Sequence, residues 1–284
     1  PSSVLMTAVT ARAAGVKEVW VASPRPVPIT LAAAAVAGAD ALLAVGGAQA
    51  IAALAFGAGP IPACCAIVGP GNRWVTAAKK IVSGHVRIDM LAGPSELLII
   101  ADQSASPQTI AADLLAQAEH DTDAVPIVVT LDRALLPAID RALAEQLSTL
   151  PTAATAREAL KNGFAIVADT PQQAVQISDQ IAPEHLQVMT RNAAALAGKL
   201  RHYGGLFIGA GSAEVFGDYG AGPNHTLPTG GTARFSGGLS VLDFLAVRTW
   251  MRLDESCNAL AKDAAALARL EGLEAHARAA EERL

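Results

Sequence analysis

The sequence predicts an α/β protein built on a mostly parallel sheet, and three observations carry that expectation. Short apolar runs recur as far as Ile208, the first three end in Gly, Pro or Ser and lead towards alanine-rich helices, and the strand signal stops near Ser240. Strands buried on both faces read as continuous apolar runs, and their alternation with helices is the βαβ rhythm of a parallel sheet.

The first set of strands comprises Val19-Trp20-Val21-Ala22, Ala41-Leu42-Leu43-Ala44-Val45 and Ala66-Ile67-Val68. A second set begins at Leu97-Leu98-Ile99-Ile100-Ala101, continues with Ile127-Val128-Val129-Thr130 and Phe164-Ala165-Ile166-Val167, and ends with Leu206-Phe207-Ile208. The boundary between the sets is expected near Gly93-Pro94-Ser95-Glu96. From Asp254 to Leu284 the chain reads as a charged, alanine-rich helical tail with no core of its own, of the kind that packs on another surface.

At 284 residues the chain is long enough for two domains. Its 52% hydrophobic against 17% charged residues argues for a packed protein rather than a disordered one. A net charge of −5 and a pI near 5.7 leave no electrostatic footprint for nucleic acid. Charges, Pro or Gly interrupt every apolar run before it reaches membrane-spanning length, so no membrane partner is expected. Cys64, Cys65 and Cys257 form neither a C-x-x-C pair nor a disulfide framework, which points to a reducing cytoplasm. The start at Pro1, without Met or a signal-peptide pattern, leads us to expect a processed or truncated beginning.

Several motifs carry possible chemistry, each beside a plainer reading. Val68-Gly69-Pro70-Gly71-Asn72 joins a strand to a helix predicted over Arg73 to Val82. Glycines there let a ligand approach the backbone and the helix N-terminus favours anions, but the motif is not G-x-G-x-x-G and most such turns simply turn. Gly46-Gly47-Ala48-Gln49 occupies the equivalent place one unit earlier, so Gln49 and Asn72 could line one crevice at the carboxyl ends of strands. In the helical run Thr109 to His120, Gln117 and His120 stand at i and i+3, where two side chains could share a metal; helices also carry surface Gln and His routinely. Glu184 and His185 put two proton-transfer groups side by side after Pro183, a pair suited to acid–base work that reads more simply as an exposed loop. The Gly- and Pro-rich stretch from Gly217 to Gly231 predicts a long irregular loop, in which Asp218 reads as a turn residue or a metal ligand. His276 stands alone on the charged tail, and His85 and His202 have no motif around them.

In order and wording, these segments together resemble the histidinol dehydrogenase family. The resemblance spans Pro1 to Met6, Val45 to Ala50, Gly69 to Asn72, Ile88 to Glu96, Gln117 to His120, Pro183 to Leu186, Gly217 to Ser240 and His276, essentially the whole chain. It implies two Rossmann-like parallel-sheet domains plus a helical C-terminal tail. They are a cofactor-side domain over 1–96, part of a second domain over 97–239 carrying zinc and catalytic residues, and the tail over 240–284, exchanged between the subunits of a homodimer. It also implies that about the first third of the family pattern is missing, which would leave the second domain incomplete.

For chemistry, the resemblance implies zinc held by Gln117, His120, Asp218 and His276. Substrate would touch these ligands together with Ser95, His225 and Glu271, and Gln49 and Asn72 would contact NAD. Glu184 and His185 match the acid–base pair, with His185 as general base and Glu184 activating water while L-histidinol is oxidised to L-histidine by way of L-histidinaldehyde. An amide and a carboxylate beside two imidazoles form a harder ligand set than a structural cysteine site, which suits an exchangeable catalytic metal. Two other functions remain open on the sequence: a relative that oxidises another small polar alcohol, and a silent dimerisation or ligand-binding fragment.

Overall fold

The computed structural model describes residues 1–253 and 257–284; the expected start of the tail at Asp254 lies outside them. Two compact units make up the chain, Pro1–Leu245 and Ala246–Leu284.

The first unit opens with α1 (Ser2–Ala13), β1 (Trp20–Ala22), α2 (Pro28–Val36), β2 (Ala41–Leu43), α3 (Gly47–Phe56), β3 (Ala66–Ile67), α4 (Arg73–Val82) and β4 (Arg87–Ile88). Short strands pair in parallel here, β1 with β2 and β3 with β4. Ile51, Leu54 and Ala55 of α3 pack with Ile67 of β3, Ala78 and Val82 of α4, and Trp20 and Leu43 of the first strand pair. One apolar cluster thus joins both pairs. The arginine at position 73 opens α4 as the sequence predicts, because Asn72 caps it: its Oδ1 accepts from the N–H groups of Trp74 and Val75.

The chain then builds β5 (Glu96–Ala101), α5 (Pro107–Ala118), β6 (Val125–Thr130), α6 (Leu135–Leu147), α7 (Ala153–Leu160), β7 (Phe164–Val167), α8 (Pro171–Ile181), β8 (His185–Met189), α9 (Ala193–Ala197) and β9 (Gly205–Ile208). All five strands are parallel in the order β7-β6-β5-β8-β9. Side chains alternate across a strand, and β5 divides accordingly. Leu98 and Ile100 pack with Ala174 of α8 and Leu196 of α9, whereas Leu97, Ile99 and Ala101 pack with Ile110 and Leu114 of α5 and Ile139 of α6. Helices therefore cover both faces, and the continuous apolar run of β5 is explained. The order reverses between β5 and β8, the two strands that frame the site. A short α10 (Val215–Asp218) follows β9, and single 3₁₀ turns occupy Thr232–Arg234 and Val241–Phe244.

In the second unit α11 (Asn258–Leu270) and α12 (Glu274–Glu281) contact each other. Gly272, at φ 74°, makes the break between them, and Arg269 pairs with Glu274 at 3.0 Å and Glu281 at 2.7 Å. Among the described residues no helix is long and apolar enough to cross a membrane.

Two strands escape the sequence reading. The pair Arg87–Ile88 is too short to stand out, and β8 interleaves His185 and Gln187 with Leu186 and Val188. Placing two polar side chains on one face of a buried strand breaks the all-apolar pattern that marks parallel strands. The run Thr109 to His120 also needs correction. Helix α5 ends at Ala118, and the N–H of His120 reaches back to Gln117 O at 3.4 Å, so His120 sits in the turn just beyond the helix.

Ile99→Ala, emptying a fully buried site between β5 and α5, should cost roughly 2–5 kcal/mol of stability. Phe164→Ala, at a half-exposed position on edge strand β7, should cost well under half as much. Urea denaturation of the two variants checks the contrast.

Candidate active site

A pocket of about 210 Å³ opens beside β5 and β8, and Ser95, His120, Glu184, His185, Asp218 and His225 all line it. It lies at the amino ends of these strands, since Ser95 and Glu184 immediately precede β5 and β8. The expectation that ligands gather at carboxyl ends of strands therefore does not describe this pocket. Its walls are instead the returning loop after β9, the turn after α5 and the Gly69 turn.

Glu184 and His185 are buried, against the plainer reading of an exposed loop. Ala182, at φ 53°, ends α8 in the left-handed region and Pro183 prevents the helix from continuing. The chain thereby enters β8 with His185 on the α5 face of the sheet. Parallel pairing sets Leu97 opposite His185 and brings Ser95 and Glu96 alongside Glu184. One oxygen of Glu184, Oε2, accepts from Ser95 Oγ at 2.6 Å and from the N–H of Glu96 at 3.0 Å. Burial outweighs these bonds and pushes the Glu184 carboxyl up to about 7.

The ring of His185 is oriented by the backbone. Its Nδ1 lies 2.9 Å from Glu96 O, which can only accept, so Nδ1 carries the proton and Nε2 a lone pair. His225 then donates to that lone pair through its own Nε2, at 2.8 Å, with the rings stacked at 4.7 Å. Burial, followed by the neighbouring His225, pulls His185 down to about 3, so the imidazole is neutral at physiological pH. His225 is itself lowered by burial. Its approach requires glycine at position 217, where a Cβ would come within 2.3 Å of His225 Nδ1. Asn224 ties the same loop to α1 by donating to Met6 O at 2.8 Å.

Glu214 is the site residue that sequence reasoning missed. It is buried, with Oε1 3.8 Å from His185 Nε2, and burial, then the charges of Asp218 and Glu184, raise its carboxyl to about 8. The available signal was a spacing of four to Asp218 across a short helical turn, too common to single out. His120, Glu214 and Asp218 bring one donor atom each within 4.8 Å of one another, as do His185, Glu214 and His225. Gln117 is fully buried, and both atoms of its side-chain amide lack a partner. Crowded carboxylates, imidazoles and an orphaned amide oxygen, with no thiolate among them, fit a divalent metal of zinc type. Gln49 and Asn72, also singled out from sequence, are not among the residues lining this pocket. Gln49 is exposed in the first turn of α3 and Asn72 caps α4, while Glu271 and His276 belong to the second unit, where both are exposed. No partner within the described residues takes the N–H groups of Gly71 and Asn72, so the turn retains donors for an anionic ligand.

A buried neutral imidazole, a buried carboxyl poised near neutrality and a set of metal donors, gathered beside one pocket of a parallel α/β fold, are the groups that an acid–base enzyme requires. Comparison with known proteins gives the particular kind. The histidinol dehydrogenase family profile matches residues 1–284, and the chain belongs to that family. It is 54% identical over 279 residues to the histidinol dehydrogenase of Thermus thermophilus, covering 98% of this chain and 68% of that protein. Against the histidinol dehydrogenase of Geobacillus kaustophilus the identity is 50% over 291 residues, covering 100% of this chain and 69% of the relative. The crystal structure of histidinol dehydrogenase from Elizabethkingia anophelis superposes with a TM-score of 0.94 at 38% identity, over 99% of this chain and 67% of that one.

Removing the Ser95 hydroxyl takes away a hydrogen bond that favours the Glu184 carboxylate. In Ser95→Ala the carboxyl should titrate above its present value of about 7, followed by ¹³C NMR of labelled glutamate. An unchanged or lower midpoint would contradict the geometry described.

Proposed function

We propose that this pocket oxidises L-histidinol to L-histidine through L-histidinaldehyde, the last two steps of histidine biosynthesis, using zinc and NAD. The observation that carries this reading is the neutral His185, its Nε2 lone pair facing a pocket that also holds Glu184 and metal-type donors, in a chain of this family.

Zinc would be held by Gln117, His120 and Asp218, with His276 as fourth ligand, and would supply Lewis-acid polarisation of the reacting oxygen. NAD, against Gln49, Asn72 and the Gly69 turn, would supply the hydride acceptor. Ser95, His225 and Glu271 would hold the amino alcohol. His185 Nδ1 is committed to the backbone, so proton transfer goes through Nε2, where the substrate hydroxyl replaces His225 as donor. As hydride leaves the carbinol carbon, His185 takes the hydroxyl proton and the aldehyde forms. In the second oxidation the Glu184 carboxylate takes a proton from water as its oxygen bonds to the aldehyde carbon. A second hydride would then leave that carbon for a second NAD, and the acid so formed would lose its remaining proton to solvent, giving the carboxylate.

The 1–96 and 97–239 segments are assigned to two Rossmann-like domains; the order β7-β6-β5-β8-β9, read as 3-2-1-4-5, supports this for the second. Residues 240–284 are assigned to tail exchange in a cytoplasmic homodimer. The apolar side chains that this stretch exposes, Val247, Trp250, Met251 and Leu270, support the assignment.

If only the carboxylate of Glu184 activates water, oxidation of the aldehyde should rise tenfold per pH unit below about 7 and level off above it. Glu184→Gln should abolish that limb and slow the aldehyde step by ~10²–10⁴-fold, leaving the alcohol step far less affected. Rates with histidinol and with histidinaldehyde supplied separately decide the matter, and equal losses on both would remove the division of labour.

Metal analysis tests the ligand set and the exchanged tail together. His120→Ala and His276→Ala chains should each lose most of their zinc with the fold retained. Co-refolded in equal amounts, they should recover about a quarter of wild-type zinc, because half the dimers are mixed and one of their two sites is intact. Recovery of none, with heterodimers present, would place His276 at its own subunit's site.

A further inference from the structure

Beneath the Gly69 turn lies an ion pair for which the chemistry above has no use. Lys79 of α4 and Asp89, just after β4, face each other with side chains only 3% and 1% exposed. Ion pairs this deeply buried contribute little net stability, because desolvation offsets most of their attraction. Their contacts are more informative than their energy. Lys79 Nζ donates to the carbonyl of Gly69 at 3.0 Å, and Asp89 Oδ2 accepts from the N–H of the same residue at 2.7 Å. Both backbone groups of one glycine are therefore held by one pair. That glycine sits at φ 111°, a conformation that L residues rarely adopt.

The pair also joins two walls of the pocket. Gly69 to Gly71 form one wall, and the segment running on from Asp89 through Met90 and Gly93 to Ser95 forms another. Thr76, one turn before Lys79 on the same face of α4, donates to Ala92 O at 2.8 Å and so fastens the second wall again. Asn72, Thr76 and Lys79 follow the i, i+4, i+7 spacing of a single helix face. One helix thus clamps the turn at its start and, through Thr76 and Lys79, the segment that ends at the Ser95–Glu184 bond.

We propose that Lys79 and Asp89 are positioning residues: they fix the Gly69-Pro70-Gly71-Asn72 turn, and with it the bound dinucleotide, at a set distance from Ser95, Glu184 and His185. The proposal rests on the reading of this turn as the NAD contact. It assigns the pair to cofactor affinity rather than to folding, so the two must separate on mutation.

Removing one partner strands a buried charge and could unfold the region, so the informative variants are double. Lys79→Met/Asp89→Leu keeps volume and deletes both contacts to Gly69. Lys79→Gln/Asp89→Asn keeps a donor for the carbonyl and an acceptor for the N–H without either charge. NADH binding, followed by fluorescence, should weaken roughly tenfold in the Met/Leu protein, the scale of the entropy lost when one released backbone residue is ordered on binding. In the Gln/Asn protein it should stay within about threefold of wild type, a rescue that depends on hydrogen bonds and not on charge. The urea midpoint of the Met/Leu protein should equal or exceed that of wild type, and the KM for histidinol should not change.

Hydrogen exchange at the Gly69 amide, measured without cofactor, keeps the two readings apart. Exchange about tenfold faster in the Met/Leu protein is expected if the pair holds the turn. Unchanged exchange overturns the proposal, as does wild-type NADH affinity in that protein, or a loss of affinity that merely tracks a loss of stability. Faster exchange in a protein whose wild type binds no NADH overturns the cofactor reading of the turn, while the pair's hold on the turn stands.

Discussion

Parallel pairing of β5 with β8, in the register that sets Leu97 opposite His185, determines the pocket. Because side chains alternate with a period of two, a slip of one residue would turn His185 and Gln187 to the α8 side and Leu186 and Val188 to the α5 side. It would also carry Glu184 away from Ser95 and the N–H of Glu96. The register is held by side chains buried on both faces, Leu97 to Ile100 on one strand and Leu186 to Met189 on the other. Hydrophobic burial at ~25 cal/mol per Å² thus secures an arrangement of polar groups that those groups could not secure themselves. The Glu96 backbone serves both neighbours at once, its N–H bonding Glu184 and its carbonyl orienting His185.

Burial then acts on the two groups in opposite directions. Desolvation disfavours whichever form is charged, so it raises Glu184 and lowers His185, and both move towards neutrality. The outcome for chemistry is asymmetric. Neutral His185 has a lone pair available across the physiological range, whereas Glu184 changes state near neutrality and can exchange a proton in either sense. Glu214, raised in the same way, adds a third carboxyl to a region where Asp218 and Glu184 already repel it. A bound dication would relieve that repulsion.

Stability and function therefore reside largely in different residues. Apolar clusters on the two faces of the five-stranded sheet hold the fold, while Gln117, Gln187 and Glu214 are polar groups buried with unsatisfied atoms in the same unit. A core selected for stability alone would exclude them, since each unsatisfied polar atom costs about 1–3 kcal/mol. Glycine at 217 belongs with this group, as a larger residue would collide with His225.

Much was legible in the sequence by itself. Unbroken apolar runs marked β5, β6, β7 and most of the shorter strands, because parallel strands buried on both faces admit few polar residues. Asn72 and the glycines before it placed the start of α4, since capping is a local interaction between near neighbours. The wording of the motifs pointed to the family, and it singled out Glu184 and His185, which line one pocket in the structure. Strand β8 was not legible, for its His and Gln answer to α5 and the loop after β9 rather than to their sequence neighbours. Neither was Glu214, which meets His185 of β8 only once the chain has folded. Only the tertiary structure decided that the pocket lies at the amino ends of β5 and β8, which group carries the proton on His185, and that Lys79 and Asp89 meet beneath Gly69. The physical reason is the same in each case: propensity and capping act over a few residues and are written locally, whereas burial, register and ionisation depend on groups that sequence separation leaves unrelated until the chain has folded.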